Sequence, residues 1–295
     1  MTDPHASPFT CVLDARAKLG ECPVWSGAEQ ALYWVDINAP ALNRFDPATG
    51  QSIVMTMPES IGCFALRVAG GFMIALRSGI WTASARGVLE RKVADAPYDP
   101  ARHRFNDGRC DPQGRLFAGS MNERRDASTG ALYRLNDDGA LIEVLGEIMI
   151  SNGLVWSPDG KTMYHADTPT RTVRAYDYDV STGTPGNARI FARWMGETDR
   201  PDGAAIDSDG NYWSAFYRGG KIVQISPRGA LVAEYPIPTM CPTMCAFGGA
   251  DLKTLYVTSA RQMREPDELA RLPQSGGIFS MRVNVPGLPE PHCRF

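Results

Sequence analysis

The stretch SPDGKTMYHAD, residues 157–167, joins a tight turn to a short strand of mainly aromatic and apolar residues. Pro158 at the second position of the turn fixes its own φ, and Gly160 at the fourth position relieves the exit, which is typical of a type I turn. A turn of this type followed at once by such a strand predicts the corner of a β-hairpin.

The same turn-and-strand pattern recurs along the whole chain. Its six copies read WSGAEQALYWVD from Trp25, VAGGFMIAL from Val68, DPQGRLFAG from Asp111, SPDGKTMYHAD from Ser157, DSDGNYWSA from Asp207 and GGADLKTLYVTS from Gly248. Aligned on their strand residues, successive copies lie 40, 44, 47, 49 and 43 residues apart. A period of this length is typical of one four-stranded blade of a β-propeller.

A second set of turns lies between these copies. It consists of DPATG at Asp46, SARG at Ser84, NDDG at Asn136, DVSTG at Asp179, SPRG at Ser226 and NVPG at Asn284. Two turns per unit predict an all-β fold, a six-bladed β-propeller with four-stranded antiparallel blades. Glycine turns also decorate large β-sandwiches, but six paired copies at an even period favour the propeller. Helical periodicity is weak and confined to residues 265–271.

The repeats also predict how the chain is organised. We expect a flexible N-terminus at residues 1–8 and a single propeller domain over residues 9–295. The segment 9–16 precedes the first turn and has no blade of its own, so we expect an N-terminal strand there that closes the last blade. Residues 122–130 and 261–277 interrupt the period, and such longer loops on a rigid scaffold are typical of lids or interfaces.

Composition narrows the class of function. Hydrophobic residues make up 43% of the chain and charged residues 21%, which is the balance of a globular domain with a full core. The formal net charge of -3, from 30 basic and 33 acidic residues, gives no electrostatic footprint for nucleic acid or an anionic membrane. We therefore expect a small-molecule partner, no nucleic acid or membrane partner, and a monomer or weak dimer.

The termini and the cysteines point to the cellular compartment. The first ten residues contain neither the basic nor the apolar region of a leader, and no run of about 18 apolar residues occurs, which predicts a cytoplasmic protein. The seven cysteines are scattered without a CxxC pair, so the sequence predicts neither a disulfide framework nor a zinc ribbon.

Polar residues recur at one register of the predicted innermost strands. Counting back five residues from the SPDG-type turn gives a carboxylate or an amide in four units, namely Glu21, Asn106, Asn152 and Asp202. The other two units place Gly62 and a position near Met244 there. Carboxylate and amide oxygens suit one divalent cation such as Ca²⁺, Mg²⁺ or Mn²⁺ and are compatible with Fe²⁺ or Zn²⁺. The alternative is that these groups bind one another and buried waters.

Four longer segments carry a resemblance to a known family. They are LGECPVW at Leu19, RFNDGRCDPQGRLFAGSM at Arg104, SNGLVWSPDGKTMYHADT at Ser151 and RPDGAAIDSDG at Arg200. They resemble the SMP-30/gluconolactonase/luciferin-regenerating-enzyme-like family over nearly the whole chain. The resemblance implies a six-bladed propeller that holds one divalent metal.

The resemblance also implies roles for individual residues. The metal ligands fall on Glu21, Asn152 and Asp202, which the register count also selects. The substrate-binding residues implied by the same motifs are Arg104, Asn106, Asp107 and Glu123. One departure concerns the residue after Glu123, because some members carry a second acidic residue where this chain has Arg124. The substrate preference of those members therefore cannot be assigned to this chain.

The function implied is metal-dependent hydrolysis of an aldonolactone, such as L-arabinono-, D-xylono- or D-gluconolactone, to the sugar acid in carbohydrate catabolism. Asp202 is predicted to be catalytic as the group that accepts a proton from water. A serine hydrolase is disfavoured, since no GxSxG segment occurs and only four histidines are present. Two alternatives stay open: another ester or phosphotriester hydrolase on the same scaffold, and a non-catalytic binding propeller stabilised by its metal.

Overall fold

The computed structural model describes residues 7–295, so most of the N-terminal segment predicted to be flexible, residues 1–6, lies outside the described residues. The first half of the chain forms strands β1 (Thr10–Leu13), β2 (Gly20–Ser26), β3 (Ala31–Asp36), β4 (Ala41–Phe45), β5 (Ser52–Thr56), β6 (Ile61–Leu66), β7 (Phe72–Leu76), β8 (Gly79–Ala83), β9 (Leu89–Asp95), β10 (His103–Cys110), β11 (Leu116–Asn122), β12 (Gly130–Leu135) and β13 (Leu141–Ile148).

The second half continues with β14 (Ser151–Trp156), β15 (Thr162–Asp167), a 3₁₀ turn (Thr168–Thr170), β16 (Thr172–Asp179), β17 (Thr184–Arg193), β18 (Pro201–Ile206), β19 (Tyr212–Phe216), β20 (Lys221–Ile225), β21 (Leu231–Pro236), β22 (Pro242–Gly248), β23 (Thr254–Ser259), helix α1 (Pro266–Arg271) and β24 (Ile278–Arg282). These strands make six four-stranded antiparallel sheets. The prediction of an all-β, six-bladed propeller is confirmed, and α1 lies where the weak helical periodicity was found.

The propeller is closed by its N-terminal strand. β1 pairs with β24 in the order β1-β24-β23-β22, with Thr10 opposite Ser280 and Leu13 opposite Ile278. The predicted closure of the last blade is therefore confirmed. Because the first and last parts of the chain share one sheet, the ring of blades is locked by ordinary ladder hydrogen bonds.

The repeated turns have the predicted hairpin geometry. In the SPDG turn at residues 157–160, the Gly160 N–H donates to the Ser157 carbonyl at 2.8 Å, and the Ser157 N–H donates to the Thr162 carbonyl at 2.9 Å. Gly160 has φ +71°, a conformation that favours glycine. Each SPDG-type turn thus joins the inner strand of a blade to the second strand.

The six inner strands share one irregularity. Each contains a register shift in its first half, between Glu21 and Val24, Ile61 and Cys63, Phe105 and Gly108, Asn152 and Val155, Pro201 and Ala204, and Pro242 and Met244. A bulge inserts an extra residue and re-aims side chains relative to the regular pleat. The repeated bulge therefore falls at the register that the sequence count selected.

The insertion at residues 261–277 is pinned to the scaffold at both ends. The N–H groups of Arg261 and Gln262 donate to the carbonyls of Ala17 and Lys18 at 3.2 and 3.1 Å. At the other end the Gly276 N–H donates to Ser259 Oγ at 3.0 Å.

None of the helices within residues 7–295 has the length and apolar character needed to cross a bilayer.

The ring of inner strands is closely packed at Gly62 on β6. A Cβ there would lie 2.4 Å from the Phe105 carbonyl carbon and 2.5 Å from its oxygen. We expect Gly62→Ala to lower the free energy of unfolding by about 1–3 kcal/mol, because backbone atoms of β10 must move to admit a methyl group. Urea unfolding measures this change. Gly27→Ala is the matched control, since a Cβ at Gly27 has no atom within 4 Å, and equal effects of the two substitutions would contradict the packing argument.

Candidate active site

The four polar residues of the register lie at the start of four inner strands. Glu21, Asn106, Asn152 and Asp202 are all buried, with between 2% and 7% of their surface exposed. In the remaining two blades, the bulges on β6 and β22 contain Gly62 and Thr243. The sixth position is thus Thr243 rather than Met244, and its hydroxyl donates to the Gly20 carbonyl.

The six positions at this register, one on each inner strand, are called the ring below. Glu21 and Asp202 are its acidic members. The pKa of both carboxyl groups lies well above its ordinary value, mainly because both groups are buried. Repulsion from Asp107 raises both further, and Asp202 also raises the pKa of Glu21. In the part of the chain that the structure describes, no other side chain donates a hydrogen bond to either carboxylate. Two acidic groups therefore share a buried space without a protein counterion bound to them.

Asp107 adds a third carboxylate, which is directed at the backbone of β14. Its Oδ2 accepts a hydrogen bond from the Leu154 N–H at 3.1 Å. Its Oδ1 is buried and has no partner within residues 7–295. Burial raises the pKa of Asp107, and Arg109 partly offsets that rise.

A chain of hydrogen bonds links the third, fourth and fifth blades beside these acids. Arg104 Nη1 donates to Asn106 Oδ1 at 2.7 Å, and Asn106 Nδ2 donates to Asn152 Oδ1 at 2.9 Å. Asn152 Nδ2 donates to Thr168 Oγ1 at 2.7 Å, and the Thr168 hydroxyl donates to the Pro201 carbonyl at 2.8 Å. The second N–H of Asn106 donates to the Ser151 carbonyl at 2.9 Å. Both N–H groups of Asn106 are thus occupied, which leaves the oxygen side of its amide for other partners.

Arg104 also reaches the rim of the site, where Glu123 lies. The Glu123 carboxylate accepts two hydrogen bonds from Arg77, at 2.7 and 3.0 Å, and lies 3.5 Å from Arg104 Nε. The Arg77 guanidinium holds the pKa of Glu123 below its ordinary value. Glu123 therefore stands as a charged group between two arginines at the mouth of the site, with 37% of its side chain exposed.

His165 contacts the residue that precedes Asn152. Its Nε2 lies 2.8 Å from Ser151 Oγ, next to the ligand position Asn152. Burial lowers the pKa of His165 to about 4, so the imidazole is neutral at ordinary pH. It is a buried structural group rather than a proton acceptor at the mouth.

Several of these contacts have no signal in the sequence. Three side chains contact a partner elsewhere in the sequence, and no spacing along the chain predicts these contacts; they are Thr168, Arg77 and His165. For Thr168 there is one clue, its position at the end of the motif that begins at Ser151. The motif marks the segment as special but does not reveal the hydroxyl contact.

The residues of the ring fit a divalent cation. Within residues 7–295 no cluster of three or more His, Cys, Asp or Glu side chains forms a metal site, so an amide oxygen must complete any donor set here. Glu21 and Asp202 supply two carboxylates and Asn152 supplies the amide oxygen, all of them hard ligands. The unpaired charge of the two acids and the orphaned Oδ1 of Asp107 are the features that a bound cation would balance.

The opposite end of the inner strands has a different character. A cavity of about 240 Å³ lies there among the turn ends of the inner strands, lined by residues that include Trp25, Trp156 and Arg109. Glu290 from the C-terminal segment forms an ion pair with Arg109 at 3.0 Å. None of the predicted site residues lines this cavity. The charged side chains that line it, Arg109 and Glu290, are thus paired with each other.

Comparisons with known proteins agree with this fold. Residues 19–261 match the family model described as the SMP-30/Gluconolactonase/LRE-like region. The chain is 48% identical to a 6-deoxy-6-sulfogluconolactonase from Pseudomonas putida, covering 95% of this chain and 97% of that protein. It is 37% identical to regucalcin from Gallus gallus, covering 95% and 96%. The crystal structure of a calcium-binding protein, regucalcin from Agrobacterium tumefaciens, superposes with a TM-score of 0.93 at 30% identity, covering 99% of this chain and 98% of that one.

The buried acids predict an unusual pH dependence for metal-free protein. Because the folded state raises the pKa of Glu21, it holds a proton that the unfolded chain has released, so stability falls as pH rises above the ordinary carboxyl range. Glu21→Gln cannot ionise. In the presence of a chelator we expect this variant to gain stability over the native protein as pH rises, with little difference at acidic pH where both are neutral.

Thermal unfolding at a series of pH values measures this difference. Glu90→Gln, on the exposed part of β9, is the control for loss of a glutamate charge. A Glu21→Gln difference that stays constant with pH, or that grows towards acid, would show that the Glu21 carboxyl is not held in its neutral form.

Proposed function

The chain belongs to the SMP-30/gluconolactonase/LRE-like family, and on that premise we propose that it hydrolyses aldonolactones to sugar acids with the help of one divalent cation. Its relatives include a protein named as a lactonase at 48% identity, so it is an enzyme, a carboxylic-ester hydrolase of the sugar-lactonase class. The observation that carries the metal-dependent part of the proposal is a pair of buried acids, Glu21 and Asp202, whose pKa burial raises and to which no side chain within residues 7–295 donates a hydrogen bond.

Glu21, Asn152 and Asp202 are the residues that would hold the cation. The chemistry supplied by a bound cation of this kind is polarisation of the lactone carbonyl and acidification of water near neutral pH. Oxygen ligands accept Ca²⁺, Zn²⁺, Mn²⁺, Mg²⁺ or Fe²⁺, and the regucalcin from Agrobacterium tumefaciens is named as a calcium-binding protein. Calcium is therefore the first cation to test.

The proton transfers fall to Asp202. As the water oxygen bonds to the carbonyl carbon, Asp202 accepts the proton that the water releases. The ring C–O bond of the ester then breaks, and the proton passes from Asp202 to the leaving oxygen. One water is added for each lactone opened, and the product is the hydroxy acid.

Arg104, Asn106 and Glu123 orient the substrate in this proposal. The buried Arg104 guanidinium can stabilise negative charge that develops on oxygen, since charge-assisted hydrogen bonds are strongest where water is excluded. The free side of the Asn106 oxygen and the half-exposed Glu123 carboxylate accept hydrogen bonds from sugar hydroxyls. A lining of this kind suits a polyhydroxylated ring better than the apolar alcohol groups of typical phosphotriesters.

The candidate substrates are L-arabinono-, D-xylono- and D-gluconolactone, together with 6-deoxy-6-sulfogluconolactone because of the 48% identical relative. We extend the proposal to a cytoplasmic enzyme that acts as a monomer or weak dimer in carbohydrate catabolism.

A pH-indicator assay of acid release from these four lactones tests the function. The protein is first treated with chelator and then supplied with Ca²⁺, Mg²⁺, Mn²⁺, Zn²⁺ or Fe²⁺ in turn. We expect acid release on at least one lactone, abolished by chelation and restored by a cation. Release from phosphotriesters alone would point to the other hydrolase class, and no release from any ester by protein with bound metal would point to a binding propeller.

Asp202→Asn tests the assignment of the proton acceptor. The substitution keeps an oxygen at the site but removes the basic group, so we expect kcat/KM to fall by about 10²- to 10⁴-fold, the range typical of a positioned acid–base group. Asp209→Asn, in an exposed turn at the opposite end of β18, is the matched control and should keep native activity. Native activity of Asp202→Asn would remove Asp202 from the mechanism.

A further inference from the structure

The hydrogen-bond chain beside the acids can run in one direction only. It begins at Arg104, whose guanidinium has donors and no acceptor, and ends at the Pro201 carbonyl, which accepts and cannot donate. Asn106 must therefore turn its oxygen to Arg104 and its nitrogen to Asn152. The direction of every bond in between follows from these two ends.

Thr168 is the element that fixes the amide of Asn152. Its hydroxyl proton is committed to the Pro201 carbonyl at 2.8 Å, so towards Asn152 the Thr168 oxygen can only accept. Asn152 meets it with Nδ2 at 2.7 Å, and its Oδ1 is thereby turned to the other side. There Oδ1 accepts one bond from Asn106, and an amide oxygen has a second lone pair left over.

We propose that Thr168 is a positioning residue that holds the Asn152 oxygen in the orientation needed to bind the cation, and so links the ligand of the fourth blade to that of the fifth. The inference rests on the proposed metal site. Pro201 directly precedes Asp202, so the same hydroxyl joins Asn152 to the strand that carries the acid.

The surroundings of Thr168 suit this task. It is buried and begins the 3₁₀ turn after β15, and its N–H donates to the Ile150 carbonyl at 3.3 Å. Without its hydroxyl, the Asn152 amide would keep a buried N–H with no acceptor, because Asn152 itself is only 2% exposed. A buried donor without a partner is unfavourable, so the amide would reorient or admit water at the expense of its oxygen's position.

Calorimetric titration of chelator-treated protein with Ca²⁺ and with Mn²⁺ tests the proposal without substrate. Thr168→Val keeps the shape of the side chain and removes the hydroxyl. We expect its cation affinity to fall by about 10- to 100-fold, as is typical when an outer hydrogen-bond partner of a ligand is lost. Thr168→Ser restores the hydroxyl and should return the affinity to within a few-fold of native.

Thr170→Val is the matched control in the same turn. Its hydroxyl donates to the Asp167 carbonyl at 2.7 Å but is exposed and contacts no residue of the ring, so native affinity is expected. Thermal unfolding in chelator shows whether each variant is folded. If Thr168→Val is not, Thr168→Ala takes its place with the same expectation.

Native cation affinity of Thr168→Val would overturn the proposal. A loss in Thr168→Ser equal to that in Thr168→Val would also overturn it, since a side chain that keeps the hydroxyl would then bind the cation no better than one that lacks it. Lactone hydrolysis is measured separately. Loss of cation binding in Thr168→Val with no lactonase activity in the native protein would reject the proposed substrate and keep this inference. Lactone hydrolysis by the native protein, together with unchanged cation affinity in Thr168→Val, would support the proposed substrate and reject this inference.

Discussion

Repulsion between buried carboxylates is the constraint around which this molecule is arranged. Glu21 and Asp202 come from blades that are far apart in sequence, and burial raises the pKa of both. A buried acid without a partner is unfavourable, so the scaffold that brings two together must be stabilised elsewhere. The source is the rest of the propeller, with six sheets packed on one another and a ring locked by the pairing of β1 with β24.

One charged guanidinium and a series of neutral dipoles shape the side of the ring next to these acids. The chain from Arg104 to the Pro201 carbonyl is made of two amides and one hydroxyl, and its ends dictate its direction. Such a chain presents oxygen atoms at defined places. The Arg104 guanidinium at its start lowers the pKa of Glu21 and Asp202, but it does not offset the effect of burial and of repulsion from Asp107. The local preference for a cation is thereby kept, while the geometry of the donors is fixed by hydrogen bonds.

The sequence predicts most of the fold and the ring register, because both repeat. The SPDG-type turns recur once per blade, and counting back from them reaches Glu21 and Asp202 directly. For the sixth blade the count predicts only a position near Met244, and the structure has Thr243 in the bulge of β22. The contacts of Thr168, Arg77 and Glu290 escape such reasoning, since each depends on a partner that is brought close only by the arrangement of blades.

The two ends of the axis differ in how their charge is compensated. At the turn end, Glu290 from the C-terminal segment neutralises Arg109 at 3.0 Å. Arg109 consequently offers Asp107 only partial compensation, and Asp107 in turn raises the pKa of Asp202. At the ring, Arg104 lowers the pKa of Glu21 and Asp202 but does not offset burial and repulsion, so these acids lack the ion pairing that Glu290 has with Arg109.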